Sequence, residues 1–210
     1  MKNRLTLVTV ATHKTHELDR FIESAKYHGY DYVILGLGME WTGGVADNGR
    51  LVFPGGGMKV NLLKEYLSTY VGSNSDVILF TDSYDVVFNE KPDELLSRWN
   101  GNVLFTAEKT CWPDRDLEEE YPNSPYGYKY LNSGCYIGTA KALHSFISLP
   151  ITEPANGDDQ LHCQVGSRCP CRFCGGYVRP GEDLYIMWAG WSGRNPLCSY
   201  FAYRSKEAGL

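Results

Sequence analysis

The chain has 210 residues, 43% of them hydrophobic and 21% charged. This is the composition of an ordinary globular protein, long enough to bury one substantial core. A formal net charge of −5 and a pI near 5.5 speak against nucleic acid as the main partner, because phosphate binding wants a basic face; no stretch approaches the roughly 18 apolar residues of a membrane span.

The opening "MKNRLTLVTVATH" has a basic start and an apolar run of about seven residues, which alternates with Thr and lacks a clear cleavage site, so a first strand is expected rather than a leader. On that reading the location expected is cytoplasmic, or the ER lumen if a leader is missing from the chain. "LTLVTVAT" (5–12) is β-branched enough for a buried strand. "HELDRFIESAKYHG" (16–29) puts Leu18, Phe21, Ile22 and Ala25 at helical spacing and stops at Gly29. "YDYVILGLG" (30–38) is a second strand, "MKVNLLKEYLSTYV" (58–71) a helix with Val60, Leu63 and Leu67 on one face, and "SDVILFTD" (75–82) a third strand. "KPDELLSRWN" (91–100) is a short helix with Pro92 in its first turn, and "NVLFTAE" (102–108) a fourth strand. Strands alternating with helices predict an α/β fold with a largely parallel central sheet.

From residue 163 the texture changes to Cys, Gly, Arg and Trp without a sustained period, and an irregular tail is expected. Of seven cysteines, Cys111 and Cys135 stand alone and the rest crowd the last quarter, which does not read as a disulfide scaffold and leans towards a reducing compartment. Cys169, Cys171 and Cys174, with Cys163, resemble half of a structural zinc site, although the paired knuckles of such sites are absent.

The chemistry concentrates where "ILFTDSYDVVF" (78–88) ends a hydrophobic strand on Asp82 and Asp85. Ligands of open α/β sheets bind beyond the carboxyl ends of the strands. Two hard oxygen donors three residues apart can share a divalent cation; the bland alternative is a capping Asp82 and a solvated Asp85. Gly55, Gly56 and Gly57 allow close backbone approach before Lys59 and Val60, and Lys59 can offset phosphate charge. Tyr84, beside Ser83, either stacks on a base or packs in the core. The loop aromatics Trp41 and Trp112 suit the apolar faces of sugar rings.

These stretches, with "TVAT" (9–12), "LGLGMEWTGG" (35–44), "GGGMKVNLLKEYL" (55–67), "LFTAEKTCWPD" (104–114), "YLNSGCYIG" (130–138) and "DDQL" (158–161), occur in the order found in one family. The chain resembles the glycosyltransferase domain of the procollagen lysyl hydroxylase and glycosyltransferase family. The resemblance implies a GT-A type, Rossmann-like fold over 1–162, with 163–210 a divergent or altered tail. It also implies a UDP-sugar donor, Mn²⁺ held by Asp82 and Asp85, and a hydroxylysine or galactosyl-hydroxylysine acceptor in collagen-like protein. Thr9, Ala11 and Thr12 then approach the uridine, as do Lys59, Val60, Ser83 and Tyr84. Asn132, Ser133 and Gly134 lie beside the donor sugar, and Asp158 or Asp159 orients the acceptor hydroxyl or touches the sugar. The family ends in a "HGN"-type segment whose histidine ligates the metal, and none of the five histidines of this chain lies beyond His162. Reduced activity is therefore expected, the alternatives being a catalytically weak nucleotide-sugar-binding paralogue or an enzyme with another acceptor.

Overall fold

The computed structural model describes residues 4–41, 56–70, 76–99, 101–121, 128–149, 158–166, 185–189 and 200–203. Strand β1 (Arg4–Val10) is followed by helix α1 (His16–His28), β2 (Asp31–Leu35), α2 (Gly57–Ser68), β3 (Asp76–Thr81), α3 (Pro92–Arg98) and β4 (Leu104–Glu108). A 3-10 turn (Arg115–Glu120) leads to β5 (Tyr130–Thr139) and α4 (Ala140–Ile147), and then come α5 (Asp159–Gly166), β6 (Tyr185–Ala189) and β7 (Tyr200–Tyr203).

The described strands form one sheet in the order β2-β1-β3-β5-β4-β6-β7. β1 pairs in parallel with β2 and β3, and β4 with β6, while β5 runs against both β3 and β4, and β7 against β6. Five strands thus share one direction, consistent with a GT-A type α/β fold. β3 carries an unbroken apolar run, Val77 to Phe80, and β1 is buried from Leu5 to Val10, because both faces of these strands are covered.

Helices α1 and α3 bury Leu18, Phe21, Ala25 and Leu95 against Leu5, Leu7, Val77 and Leu79 on one face. On the other, α2 and α4 bury Val60, Leu63, Leu67, Leu143 and Phe146 against Val8, Val10, Ile78, Phe80 and Phe105. The tightest part of this second layer is an aromatic stack, with Tyr136 4.8 Å from Phe80 and 5.1 Å from Phe105. Each fully buried side chain of this size contributes about 1.5–3 kcal/mol of burial. Local signals set the helix ends. The Thr15 hydroxyl accepts from the Leu18 N–H at the start of α1, and Gly29 closes it at φ 79°, a left-handed conformation that glycine adopts without strain.

Three strands depart from expectation. β5 is a ten-residue strand that the local periodicity does not announce, its Asn132-Ser133-Gly134 stretch lacking strand-forming residues; the reason is the bulge described below. Within the tail expected to be irregular, β6 and β7 are short strands rich in aromatic residues that extend the β4 edge. The cysteines proposed for zinc at 169, 171 and 174, and Gly55, lie outside the described residues. Among those residues no helix is long and apolar enough to cross a membrane.

Candidate functional site

After β2 the chain crosses over β1 through α2, on the opposite face from α1, to reach β3. The carboxyl ends of β1 and β3 therefore form the switch point at which such sheets open a crevice. Side chains staple the two ends together. The Thr9 hydroxyl donates to the Thr81 carbonyl at 2.7 Å, and the Ser83 hydroxyl to the Val10 carbonyl at 3.0 Å. The Thr12 hydroxyl lies 2.8 Å from His13 Nδ1. These hydroxyls are thus engaged within the protein, and what the segment from Thr9 through the buried Ala11 to Thr12 offers a ligand is chiefly backbone. Tyr84 is exposed, with its hydroxyl 3.2 Å from both the His13 N–H and its carbonyl oxygen; its ring is available for stacking and is not part of the core. Val60 packs in the core beneath α2, so its side chain faces away from any ligand.

Beyond β3, three charged residues converge. Lys59 Nζ lies 2.9 Å from Asp82 Oδ1 and 2.6 Å from Asp159 Oδ2. Burial pushes the Lys59 ammonium towards deprotonation, but the two carboxylates outweigh it and hold its pKa above the usual lysine value. Burial raises the pKa of Asp82, and Lys59 only partly offsets this. Asp158 and Asp159 separate in role. Asp158 Oδ1 accepts from the Leu161 N–H and caps the first turn of α5, whereas Asp159 reaches Lys59 and accepts from the Ser133 hydroxyl at 2.9 Å. Asp85 is exposed on the turn that follows.

The Asn132–Gly134 segment reaches Asp82 through a bulge. Pairing passes from Phe105↔Tyr136 to Thr106↔Asn132, so Ser133, Gly134 and Cys135 have no counterpart on β4. Bulges of this kind redirect a strand beside a site. Thr106, not singled out by the sequence, supports it. Its hydroxyl lies 3.0 Å from Asn132 Oδ1, 3.3 Å from the Asn132 carbonyl and 3.1 Å from the Cys135 carbonyl. Asn132 Oδ1 also accepts from the Gly134 N–H at 2.9 Å, and the Gly134 carbonyl accepts from the Asp82 N–H at 2.8 Å. A Cβ on Gly134 would stand 2.8 Å from Asp82 Oδ2, so the glycine keeps that oxygen uncovered. Trp112 is 52% exposed in the loop after β4, whereas Trp41 packs partly buried against the core.

Glu108 and Gln160 are the residues that sequence reasoning missed. Glu108 ends β4 as Asp82 follows β3, a polar group at a strand's carboxyl end, and that signal was present in "LFTAE". Burial raises its pKa to about 7, with a hydrogen bond from Asn132 acting in the opposite direction. The folded chain therefore holds a proton that the unfolded chain releases nearer pH 4.5. The associated stability is complete below the unfolded value and lost as the pH rises through about 7. Thermal melts should accordingly show Glu108→Gln gaining stability relative to the native chain between about pH 5 and about pH 8. A constant difference across that window would refute the raised pKa.

Residues 1–164 match the family model described as the PLOD GT domain. The chain belongs to that family. Among curated proteins it is 42% identical over 148 residues to the rat multifunctional procollagen lysine hydroxylase and glycosyltransferase LH3, covering 69% of this chain and 19% of that protein. It is 39% identical over 164 residues to procollagen-lysine,2-oxoglutarate 5-dioxygenase of Drosophila melanogaster, covering 76% and 22% of the two chains. With the Caenorhabditis elegans multifunctional procollagen lysine hydroxylase and glycosyltransferase it shares 37% identity over 163 residues, covering 75% and 22%. The chain thus spans about a fifth of the length of these relatives. It also overlays on the crystal structure of A197 from STIV with a TM-score of 0.41 and 15% identity, over 78% of each chain. The PLOD GT match ends within α5 (Asp159–Gly166), just past Asp158, Asp159 and Gln160.

Proposed function

We propose that this PLOD GT-domain chain binds a UDP-sugar with a divalent cation such as Mn²⁺ and transfers glucose or galactose to hydroxylysine or galactosyl-hydroxylysine in collagen-like protein. The observation that carries the reading is the convergence of Asp82, Lys59 and Asp159 at the crevice of a sheet from this family. The donor set fits a hard cation. Asp82 keeps Oδ2 uncovered beside Gly134, and Asp85 is exposed three residues on. No group of three or more such ligands stands together among the described residues, so Asp82 and Asp85 would hold the ion together with oxygens of the diphosphate. The ion, when bound, neutralises the diphosphate and stabilises charge on the leaving nucleotide.

The chain's own residues divide the remaining work. Lys59 supplies positive charge next to the phosphates. Tyr84 offers an exposed ring to the base. Asn132, Ser133 and Trp112 border the sugar, and Asp159 orients it or the acceptor hydroxyl, its own geometry fixed by Lys59 and Ser133.

The test is UDP binding by calorimetry with Mn²⁺ and in excess chelator, followed by UDP release from UDP-glucose and UDP-galactose with a hydroxylysine-containing collagen peptide. Equal UDP affinity in chelator would refute the cation's role, and tight UDP-sugar binding without transfer would favour a binding module. Trp112→Ala should keep UDP affinity within about twofold while sugar use falls about tenfold. The reverse pattern would make Trp112 a nucleotide or packing residue.

A further inference from the structure

Segments far apart in sequence meet on the carboxamide of Gln160, which is only 7% exposed. Its oxygen accepts from the Ser133 backbone N–H at 2.6 Å. Its nitrogen lies 3.1 Å from Glu108 Oε1 and 3.2 Å from the Trp112 carbonyl, and also donates towards the Leu131 carbonyl. The amide orientation is thereby fixed, since the flipped form would set an oxygen against three oxygens. Two of these partners need an outside tether. Ser133 belongs to the bulge that has no counterpart on β4, and Trp112 stands on a loop with its ring half exposed. Gln160 ties both to α5, the helix whose first residue, Asp159, reaches Lys59.

We infer that Gln160 is a positioning residue: its carboxamide locks the Trp112 loop and the Ser133–Gly134 bulge to α5, so that Trp112, Asn132 and Asp159 keep one geometry around the donor sugar. The consequence for the sugar rests on the function proposed above; the locking is a property of the free chain.

Two variants test it. Gln160→Met keeps the length and removes every hydrogen bond. Amide exchange at Ser133, followed by NMR in the free chain, should accelerate at least about tenfold, because the bulge opens locally. Calorimetry with Mn²⁺ should show UDP affinity held within about twofold, while the extra affinity for UDP-glucose or UDP-galactose falls about tenfold. Gln160→Glu keeps an oxygen for the Ser133 N–H but sets a second carboxyl against Glu108. Of the other ionisable groups nearby, Asp159 on the same helix and Lys59 on α2 are paired with each other, and the Cys111 thiol sits in the loop after β4, its pKa raised by burial. The introduced carboxyl therefore meets Glu108, and two such groups share a proton at acid pH and repel once both ionise. Ser133 exchange in Gln160→Glu, corrected for its intrinsic rate, should resemble the native chain at about pH 5 and the Met variant at about pH 8.

Native-like Ser133 exchange in Gln160→Met overturns the locking. If Gln160→Met does not fold, exchange in Gln160→Glu that is unchanged across this pH range overturns it equally. Faster exchange with donor affinity intact would reduce Gln160 to a purely structural residue and overturn its link to the sugar. A native chain that binds no UDP-sugar would sink the functional reading, while the Ser133 rates would still decide the locking.

Discussion

Replacing Asp82 and Asp85 together with alanine is expected to abolish Mn²⁺-dependent UDP binding in calorimetry while leaving the fold intact. The two carboxylates supply the hard oxygens at the carboxyl end of β3, and no group of three or more candidate ligands stands elsewhere among the described residues. The folding cost should be small. Asp85 is exposed, and Asp82, whose side chain is 37% exposed, forfeits one ion pair worth about 1 kcal/mol or less after solvent screening. Lys59 keeps Asp159 as a partner at 2.6 Å. The single variants should differ. Asp82→Ala also removes a counter-charge of Lys59 and frees the ammonium to meet phosphate directly, so some metal-independent UDP binding is expected to survive in it. Asp85→Ala leaves the Lys59 pair in place and should simply weaken the cation-dependent part. Undiminished Mn²⁺-dependent binding by the double variant would show that other residues hold the ion.

Much of this arrangement was legible along the chain, for a physical reason. β1, β3 and the helices between them declare themselves through local periodicity, and Asp82 stands out because charge directly beyond a buried strand is costly unless paired. The pairings themselves were not legible. Lys59 and Asp159 are 100 residues apart in the chain, and only the packing of α2 against α5 brings Nζ and Oδ2 to 2.6 Å. β5 hid because its bulge is built from Asn, Ser and Gly, residues that make turns when read locally. Thr106, tucked under that bulge, looks like any β-branched strand residue. Asp158 and Asp159 were indistinguishable in "GDDQ". The start of α5 separates them, turning one into a cap and the other into a site residue.

Gly56→Ala, the smallest side-chain change available near the site, should cost sugar transfer far more than stability. The backbone at Gly56 has φ −82° and ψ 12°, which any residue adopts, so the glycine is not there for conformational freedom. It is there for space: a Cβ would stand 1.7 Å from Asp159 Oδ1, 2.2 Å from its Cγ and 2.7 Å from Lys59 Cε. These are the ends of movable side chains rather than backbone, so the carboxylate swings aside and the fold survives at about 1–2 kcal/mol. Displacement breaks the 2.6 Å contact with Lys59 and the 2.9 Å bond from Ser133. Asp82 and Asp85 are untouched, so Mn²⁺-dependent UDP affinity should hold within about threefold, whereas sugar release or transfer should fall more than about tenfold. A double-mutant cycle sharpens the test, because the two closest atoms the new Cβ would strike belong to Asp159. Adding Gly56→Ala to an Asp159→Ala background should change activity and melting temperature far less than it does in the native chain, since only the end of the flexible Lys59 side chain is left to move aside. Full transfer activity in Gly56→Ala would mean that the position of Asp159 is immaterial to the chemistry. Its role as the orienting carboxylate would then have to pass to another group.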